Sequence, residues 1–381
     1  MYKRIITTAT LFGILTLSCD APVTPPPSGC DAMSSGVTRI AAVTAAADFS
    51  MANFEIIAAD NRAACRNLLD GLHTDHAIRT HGNDIYILER FGKDNIIKFD
   101  AKERLPVYQQ SLGSGLNIQD IAVISETKAY VSSYHNSDLI IFNPQKGEKI
   151  STVDLSRFNT YAGTDSAEAH PFVSALAVYG NYVYAACQRL KTVQSSFGAT
   201  FEIADTSIIA IIDTRTDMIT GHIALHKKNP ASMHIYRDKM LASSTGDWFD
   251  HTTGGVEMID LITNQNLGIV AEGSDFGGSV TNVIFVSPNK AYISVGKMSA
   301  DFSDFWTEII PFNPTTGTTG AKIAGVHDGF GGMAYDGMYV YAGDRGFGAS
   351  GIAVINPETN AVSRKIPTNM PPSALAVIFA D

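Results

Sequence analysis

The sequence predicts an all-β fold, a seven-bladed β-propeller with four-stranded antiparallel blades, and three observations predict it. First, a short pattern recurs along the 381 residues with a period in the forties: apolar residues, then Asp or Asn, then a polar turn. Second, a tyrosine-centred strand precedes nearly every copy. Third, the chain ends on one apolar strand without followers and begins on strands without a leader. Short strands at this spacing are the signature of propeller blades.

The turn is the clearest element. It recurs as "IIKFDAKERLPV", "LIIFNPQKGEKI", "IIAIIDTRTDMI", "VEMIDLITNQNL", "EIIPFNPTTGTT" and "IAVINPETNAVS", with a fainter copy in "FEIIAADNRAAC". Its anchors are Asp60, Asp100, Asn143, Asp213, Asp260, Asn313 and Asn356. Asp or Asn suits this place because its side chain can accept from the backbone just ahead and close the turn. These copies are read as the hairpin tips between third and fourth strands. The second strands are centred on Tyr86, Tyr130, Tyr184, Leu241, Tyr292 and Tyr341, and the first strands lie about ten residues earlier in "DHAIR", "QDIAV", "SALAV", "SMHIY", "TNVIF" and "GGMAY".

Closure follows from the ends. "PPSALAVIFAD" reads as a first strand, and "TRIAAVTAA" and "ANFEIIAAD" as a second and third. One blade built from both termini gives a closed ring and removes a sticky sheet edge. The alternative is six blades and an unpaired strand.

With those strands placed, "GNDIYILERFGKDNIIKFD", "NIQDIAVISETKAYVSSYHNSDLIIFNP" and "YGNYVYAACQRL" resemble exported bacterial lipoproteins with a seven-bladed propeller of the YVTN/YncE-like type. The resemblance covers Gly71 to about Leu225 well and the later blades more loosely. It implies a fold and an address, and no catalytic residue.

The N-terminus agrees with that address. "MYKRIITTATLFGILTLSC" has a basic start at Lys3 and Arg4, an apolar run too short to span a bilayer, and "TLSC" ahead of Cys19. It resembles a lipobox with Thr16 in the usual Leu position, so residues 1–18 are expected to be a signal peptide and Cys19 the lipidated (palmitate-carrying) residue. An ordinary cleaved signal peptide is the alternative. Residues 19–36 carry the Pro-rich "APVTPPPSG", an extended spacer, and residues 37–381 form one propeller domain. The expected location is the bacterial cell envelope, at the outer membrane or the periplasmic face of the inner membrane. Export permits a disulfide, with Cys30 and Cys65 the preferred pair and Cys187 a buried free thiol. A net charge of −10 favours neither nucleic acid nor an anionic surface as partner.

Function should lie on the face where the copies disagree. Tips share one face, while second-to-third loops and interblade segments share the other, which takes the insertions Leu190–Asp205, Gly246–Gly254, Lys297–Trp306, Asp344–Ser350 and Phe158–Pro171. Trp248 and Trp306 sit there, with Phe197, Phe249, His251, Phe302, Phe305 and Phe347 nearby. They read as contacts for a protein, peptide or glycan, or as rings folded inward to cover the blade tops. Arg90, Arg189, Lys297 and Arg345 follow second strands on this face and could neutralise an anion, or pair with acids such as Glu89 and Asp344.

Aligning first strands sets His76, Asp120, Ser174, Ala231, Asn282, Gly331 and Ser373 at one height near the channel mouth. Together with His73, Asp75, Glu168 and His170, this ring could ligate a divalent metal, with His76, Asp120 and His170 the candidate ligands, or simply line a polar channel. No cofactor other than such a metal is indicated. The ring is thinner than a lactonase site needs, and two tryptophans are few for a quinoprotein propeller. The sequence therefore points to a membrane-anchored binding or scaffold module with ligand contacts at Trp248, Trp306, Arg90, Arg189, Arg345, His76, Asp120 and Asn282. The alternative is a metal-dependent hydrolase or lactonase-like enzyme at the channel mouth.

Overall fold

A computed structural model of the chain describes residues 30, 36–160, 170–194, 200–204, 206–247, 250–299, 301 and 303–379. Seven antiparallel sheets stand around a common axis, each running inner to outer in chain order except the first. That first blade takes its inner strand, Pro372–Ile378, from the C-terminus and continues with Arg39–Ala45, Ala52–Ala58 and Ala64–Leu72. Blade 2 is His76–His81, Asp84–Glu89, Asn95–Asp100 and Leu105–Ser111; blade 3 is Ile118–Ser125, Lys128–Ser133, Asp138–Asn143 and Glu148–Asp154. Blade 4 is Val173–Tyr179, Tyr182–Cys187, Ile208–Asp213 and Met218–Ala224; blade 5 is Pro230–Tyr236, Lys239–Ser244, Gly255–Asp260 and Gln265–Glu272. Blade 6 is Ser279–Ser287, Lys290–Met298 and Phe305–Phe312; blade 7 is Met333–Tyr335, Val340–Asp344, Gly351–Asn356 and Ala361–Ile366.

Two details depart from a uniform repeat. Blade 6 has three regular strands, and its outer edge is an isolated bridge from Phe312 to Thr319. Pro311 has no N–H to donate toward an outer strand, and Gly317 and Gly320 in the segment that follows are poor strand formers. The edge still donates Gly320 N to Pro311 O and Ile323 N to Ile309 O, both at 2.8 Å. The expected loop Leu190–Asp205 instead holds a separate hairpin, Leu190–Gln194 with Thr200–Ala204.

Alternation along each strand gives every blade two apolar faces. In blade 1, Ala41, Val43, Phe54 and Ile56 pack on Ile78, Ile85, Ile87 and Phe99 of blade 2. The alternate residues Ile40, Ala42 and Ile57 pack on Tyr341, Ile352 and Val354 of blade 7. No blade can bury itself; each needs two neighbours.

The repeated residues now have separate jobs. At all seven tips the anchor carboxylate or amide oxygen accepts a backbone N–H two residues on, as from Asn143 to Gln145 N at 3.0 Å. The repeated tyrosines are buried and several clasp the next blade. Tyr184 donates to Asn264 Oδ1 and Tyr130 to Asp217 Oδ1, each in the following blade's tip, and Tyr292 donates to Asn360 Oδ1 at the tip of blade 7. Asp217, Asn264 and Asn360 each stand four residues past the anchor with φ of 57°, 54° and 56°. Short polar residues tolerate that left-handed turn and carry the acceptor the tyrosine needs.

Cys30 and Cys65 are joined in a disulfide with Cα atoms 4.8 Å apart. Cys65 opens the outer strand of blade 1 just past its tip, so this staple sits on the tip face. Cys187 is a buried free thiol whose pKa burial raises to about 12.

Candidate functional site

The channel-mouth positions lie on or beside the inner strands, and the structure gives them partners across blade boundaries. His76 of blade 2 donates from Nδ1 to His73 O at 2.9 Å, which leaves Nε2 to accept from Ser373 Oγ of blade 1, also at 2.9 Å. Asp120 of blade 3 is ion-paired to Arg79 of blade 2 at 2.8 Å and accepts from Leu176 N of blade 4 at 2.9 Å. Ser174 donates to Pro230 O of blade 5 at 2.7 Å, and Ser232 of blade 5 donates to Asn282 of blade 6 at 3.2 Å. At Gly331 a Cβ would lie 2.5 Å from Pro372 O, so the seam between blades 7 and 1 demands glycine there. The ring is a girdle of seam ties.

The arginines are engaged in the same way. Arg90 pairs with Asp75 and reaches Gln119 Oε1 of blade 3 at 3.1 Å. Arg189 donates to Phe158 O and Thr206 O. Arg345 donates to Pro371 O at 3.1 Å and Ala46 O at 3.1 Å, and its guanidinium stacks 4.4 Å from the Phe49 ring centre. His170 lies 3.3 Å from Ser137 Oγ and packs on Phe172. Among the described residues, no three His, Cys, Asp or Glu side chains gather where they could hold a metal ion.

Sequence reasoning named Glu89 and Asp344 only as arginine partners and missed that buried carboxylates receive the interblade segments. Glu89 accepts from His73 N at 2.8 Å, and Asp94 from Leu116 N and Ile118 N at 3.1 and 3.2 Å. Glu257 accepts from His226 N and Lys227 N, and Asp344 from His327 N and Asp328 N. Lys365 also donates to Asp344 at 2.6 Å. Burial works to raise the Asp344 carboxyl, but Lys365 and these backbone donors outweigh it and hold the pKa below the ordinary value. The signal was present as an acid inside an apolar run, "YILER" or "VEMID".

The exposed rings are distributed unevenly. Among the described residues, five of six exposed phenylalanines (Phe49, Phe91, Phe305, Phe330 and Phe347) lie on the loop-rich face, and only Phe379 is on the tip face. Phe347 is fully exposed, and Phe49 and Phe330 meet edge to face at 6.1 Å across the seam of blades 7 and 1. Trp306 is half-buried, with Nε1 donating to Glu308 Oε1 at 3.3 Å. Trp248, Phe197, Phe249, Phe302, Glu168 and Cys19 lie outside the described residues.

Burial holds two histidines neutral: His76 and His234 are each pushed down to about 4. In the unfolded chain both titrate near 6.5. Unfolding between pH 6.5 and 4 therefore takes up protons, so stability is lost as the pH drops through that window, by up to about 1.4 kcal/mol per unit for each imidazole. Burial raises Glu55 and Asp328, which act in the opposite sense. His76→Gln should reduce the proton uptake on unfolding by about one near pH 5. An unchanged pH slope would place the uptake elsewhere.

No protein-family profile and no curated protein matches this chain. Solved structures do. Hydrazine synthase of Kuenenia stuttgartiensis superposes with a TM-score of 0.58 at 13% identity, covering 79% of this chain and 88% of that one. Apo AztD from Citrobacter koseri gives 0.51 at 12% identity over 91% of this chain and 99% of that one. The computationally designed protein Ika8 gives 0.51 at 13% identity over 88% and 90%. At such identities the likeness is one of fold, a seven-bladed β-propeller, and says nothing of chemistry.

Proposed function

We propose that this chain is a lipid-anchored, extracytoplasmic β-propeller that binds a protein partner through its loop-rich face and serves as a scaffold or receptor-like module. The observation that carries the reading is the one-sided display of phenylalanine, since large exposed rings are costly unless a partner covers them. Anchor geometry supports it. The Cys30–Cys65 staple fixes the start of the domain to the tip face, and Cys30 lies eleven positions past Cys19. A lipid on Cys19 would hold the tips within about 40 Å of the bilayer and turn the loop-rich face away from it.

The channel-mouth residues favour binding over hydrolysis, because His76, Asp120 and Asn282 are held in seam ties. The test is capture from the native envelope by the lipidated protein, compared with a variant lacking Gly246–Gly254 and with Trp248→Ala and Trp306→Ala. The two tryptophan variants should each lower capture of one discrete partner at least tenfold while the melting temperature stays within a few degrees; the deletion joins the paired residues Ser244 and Gly255 through Thr245 alone and should lower both capture and melting temperature. Equal capture by all four proteins would contradict the reading.

A further inference from the structure

Blades 1 and 5 carry the same unusual residue, a glutamate in the third strand opposite the second-strand alanine: Glu55 faces Ala42, and Glu257 faces Ala242. Both are buried. Their surroundings differ. Glu257 receives His226 N and Nδ1 at 2.8 Å, Lys227 N at 2.9 Å and Asn266 Nδ2 at 2.7 Å, so both oxygens are filled. Glu55 receives Asn369 N on Oε1 at 3.0 Å, and Oε2 has no partner in the protein. The cause is in the sequence of the entering segment. Asn369 N takes the place of His226 N on Oε1, but Asn369 brings no imidazole, and Met370 N does not reach Oε2 as Lys227 N reaches Glu257.

Three more buried oxygens beside Glu55 are also without partners: Thr44 Oγ1, Asn53 Oδ1 and Thr368 Oγ1. Pairing and alternation bring them to one place. Thr44 stands opposite Asn53, Asn53 and Glu55 share the face turned toward blade 7, and Thr368 adjoins the residue bonded to Glu55. Asn67 Oδ1 ties the group from outside by accepting from Asn53 Nδ2 at 3.0 Å and Asn369 Nδ2 at 2.7 Å. Arg66 lowers the Glu55 carboxyl electrostatically, but its guanidinium lies against Pro367 O at 3.4 Å and burial dominates, raising the pKa.

We propose that Thr44, Asn53, Glu55 and Thr368 form an oxygen-only site for a hard cation, Ca²⁺, in the seam where blade 1 meets blade 7. A carboxylate, an amide oxygen and two hydroxyls are hard ligands of the kind calcium takes, with water and backbone carbonyls completing six to eight positions. A hard cation meets the carboxylate, amide and hydroxyl oxygens at once and supplies a counter-charge for the buried Glu55 carboxylate. With one carboxylate the affinity belongs to the weak extracellular class, a dissociation constant of about 0.1–1 mM. The site lies under the segment joining the last outer strand to the closing C-terminal strand, so occupancy would tighten ring closure.

The test uses the purified full chain after chelation, titrated with CaCl₂, with MgCl₂ and NaCl at matched ionic strength as controls. Calcium at 10 mM should raise the melting temperature by about 2–5 °C, and equilibrium dialysis with radioactive calcium should show one ion per chain. Glu55→Gln should abolish both, and Glu257→Gln should keep both. If Glu55→Gln does not fold, Thr44→Val and Thr368→Val report instead, each weakening calcium about tenfold. A wild-type response no larger than magnesium's would overturn the proposal, and so would a calcium response that survives in Glu55→Gln.

Discussion

Deleting Met370–Asp381 should leave a protein that is largely insoluble or unfolded. The lost segment is the inner strand of blade 1, paired with Arg39–Ala45 from Arg39–Ile378 to Thr44–Pro372. It buries Leu375, Ala376, Val377 and Ile378. At about 1.5–3 kcal/mol for each large side chain, their burial alone amounts to about 5–8 kcal/mol. That is comparable with the whole stability of a typical domain, about 5–15 kcal/mol. The deletion also removes Ser373 from His76, Val377 O from Thr80, and Pro371 O from Arg345. What remains is a long apolar edge, a template for aggregation. Soluble yield and size-exclusion profile report the result, and a monomeric truncation melting like the parent would show that the ring does not depend on this strand.

Asp120→Ala should be the most damaging single substitution in the channel ring, lowering unfolding free energy by about 3 kcal/mol or more. Asp120 is almost wholly buried and joins three blades, taking Arg79 on one side and Leu176 N on the other, with Ile121 N at 2.8 Å besides. Arg79 is half-exposed, so its charge is not stranded; the cost comes from two buried N–H groups left without an acceptor. Ser174→Ala, by contrast, removes neutral hydrogen bonds and should cost about 1 kcal/mol. The midpoint of guanidinium unfolding, measured in chelator, distinguishes the two. If Asp120→Ala unfolds like the parent, Asp120 is not a seam tie, and a ligand role at the channel mouth gains ground.

The features legible in the sequence are those that repeat within one blade. Asn143 and Asn356 recur because each tip closes on its own oxygen, a contact two residues long. The composite blade was legible because "PPSALAVIFAD" is a strand whose partners lie at the other end of the chain. The seam ties were not legible. His76 meets Ser373 and Asp120 meets Leu176 only when the ring is closed, between residues 297 and 56 apart. Position near the channel mouth could be read, but not whether a polar side chain there looks into the channel or across to its neighbour. The tyrosine clasp lies between these cases: Tyr184 was seen as a repeat, yet its acceptor Asn264 sits 80 residues on.

Glu55 and Glu257 carry a related lesson. An acid within an apolar strand costs several kcal/mol unless it is partnered, so its presence marks a place where the fold uses it. Glu257 holds the segment entering blade 5, and Glu55 does half as much for the segment entering blade 1. Both support the loop-rich face, whose geometry the binding reading depends on.

The polarity of the two faces can be put to one comparison. Capture from the native envelope is measured for the double variant Phe305→Ala, Phe347→Ala on the loop-rich face and for Met218→Ser, Ile262→Ser on the tip face. All four side chains are exposed, so neither pair should disturb folding. The first pair should lose the partner and the second should keep it. Loss with the tip-face pair and retention with the loop-face pair would contradict it.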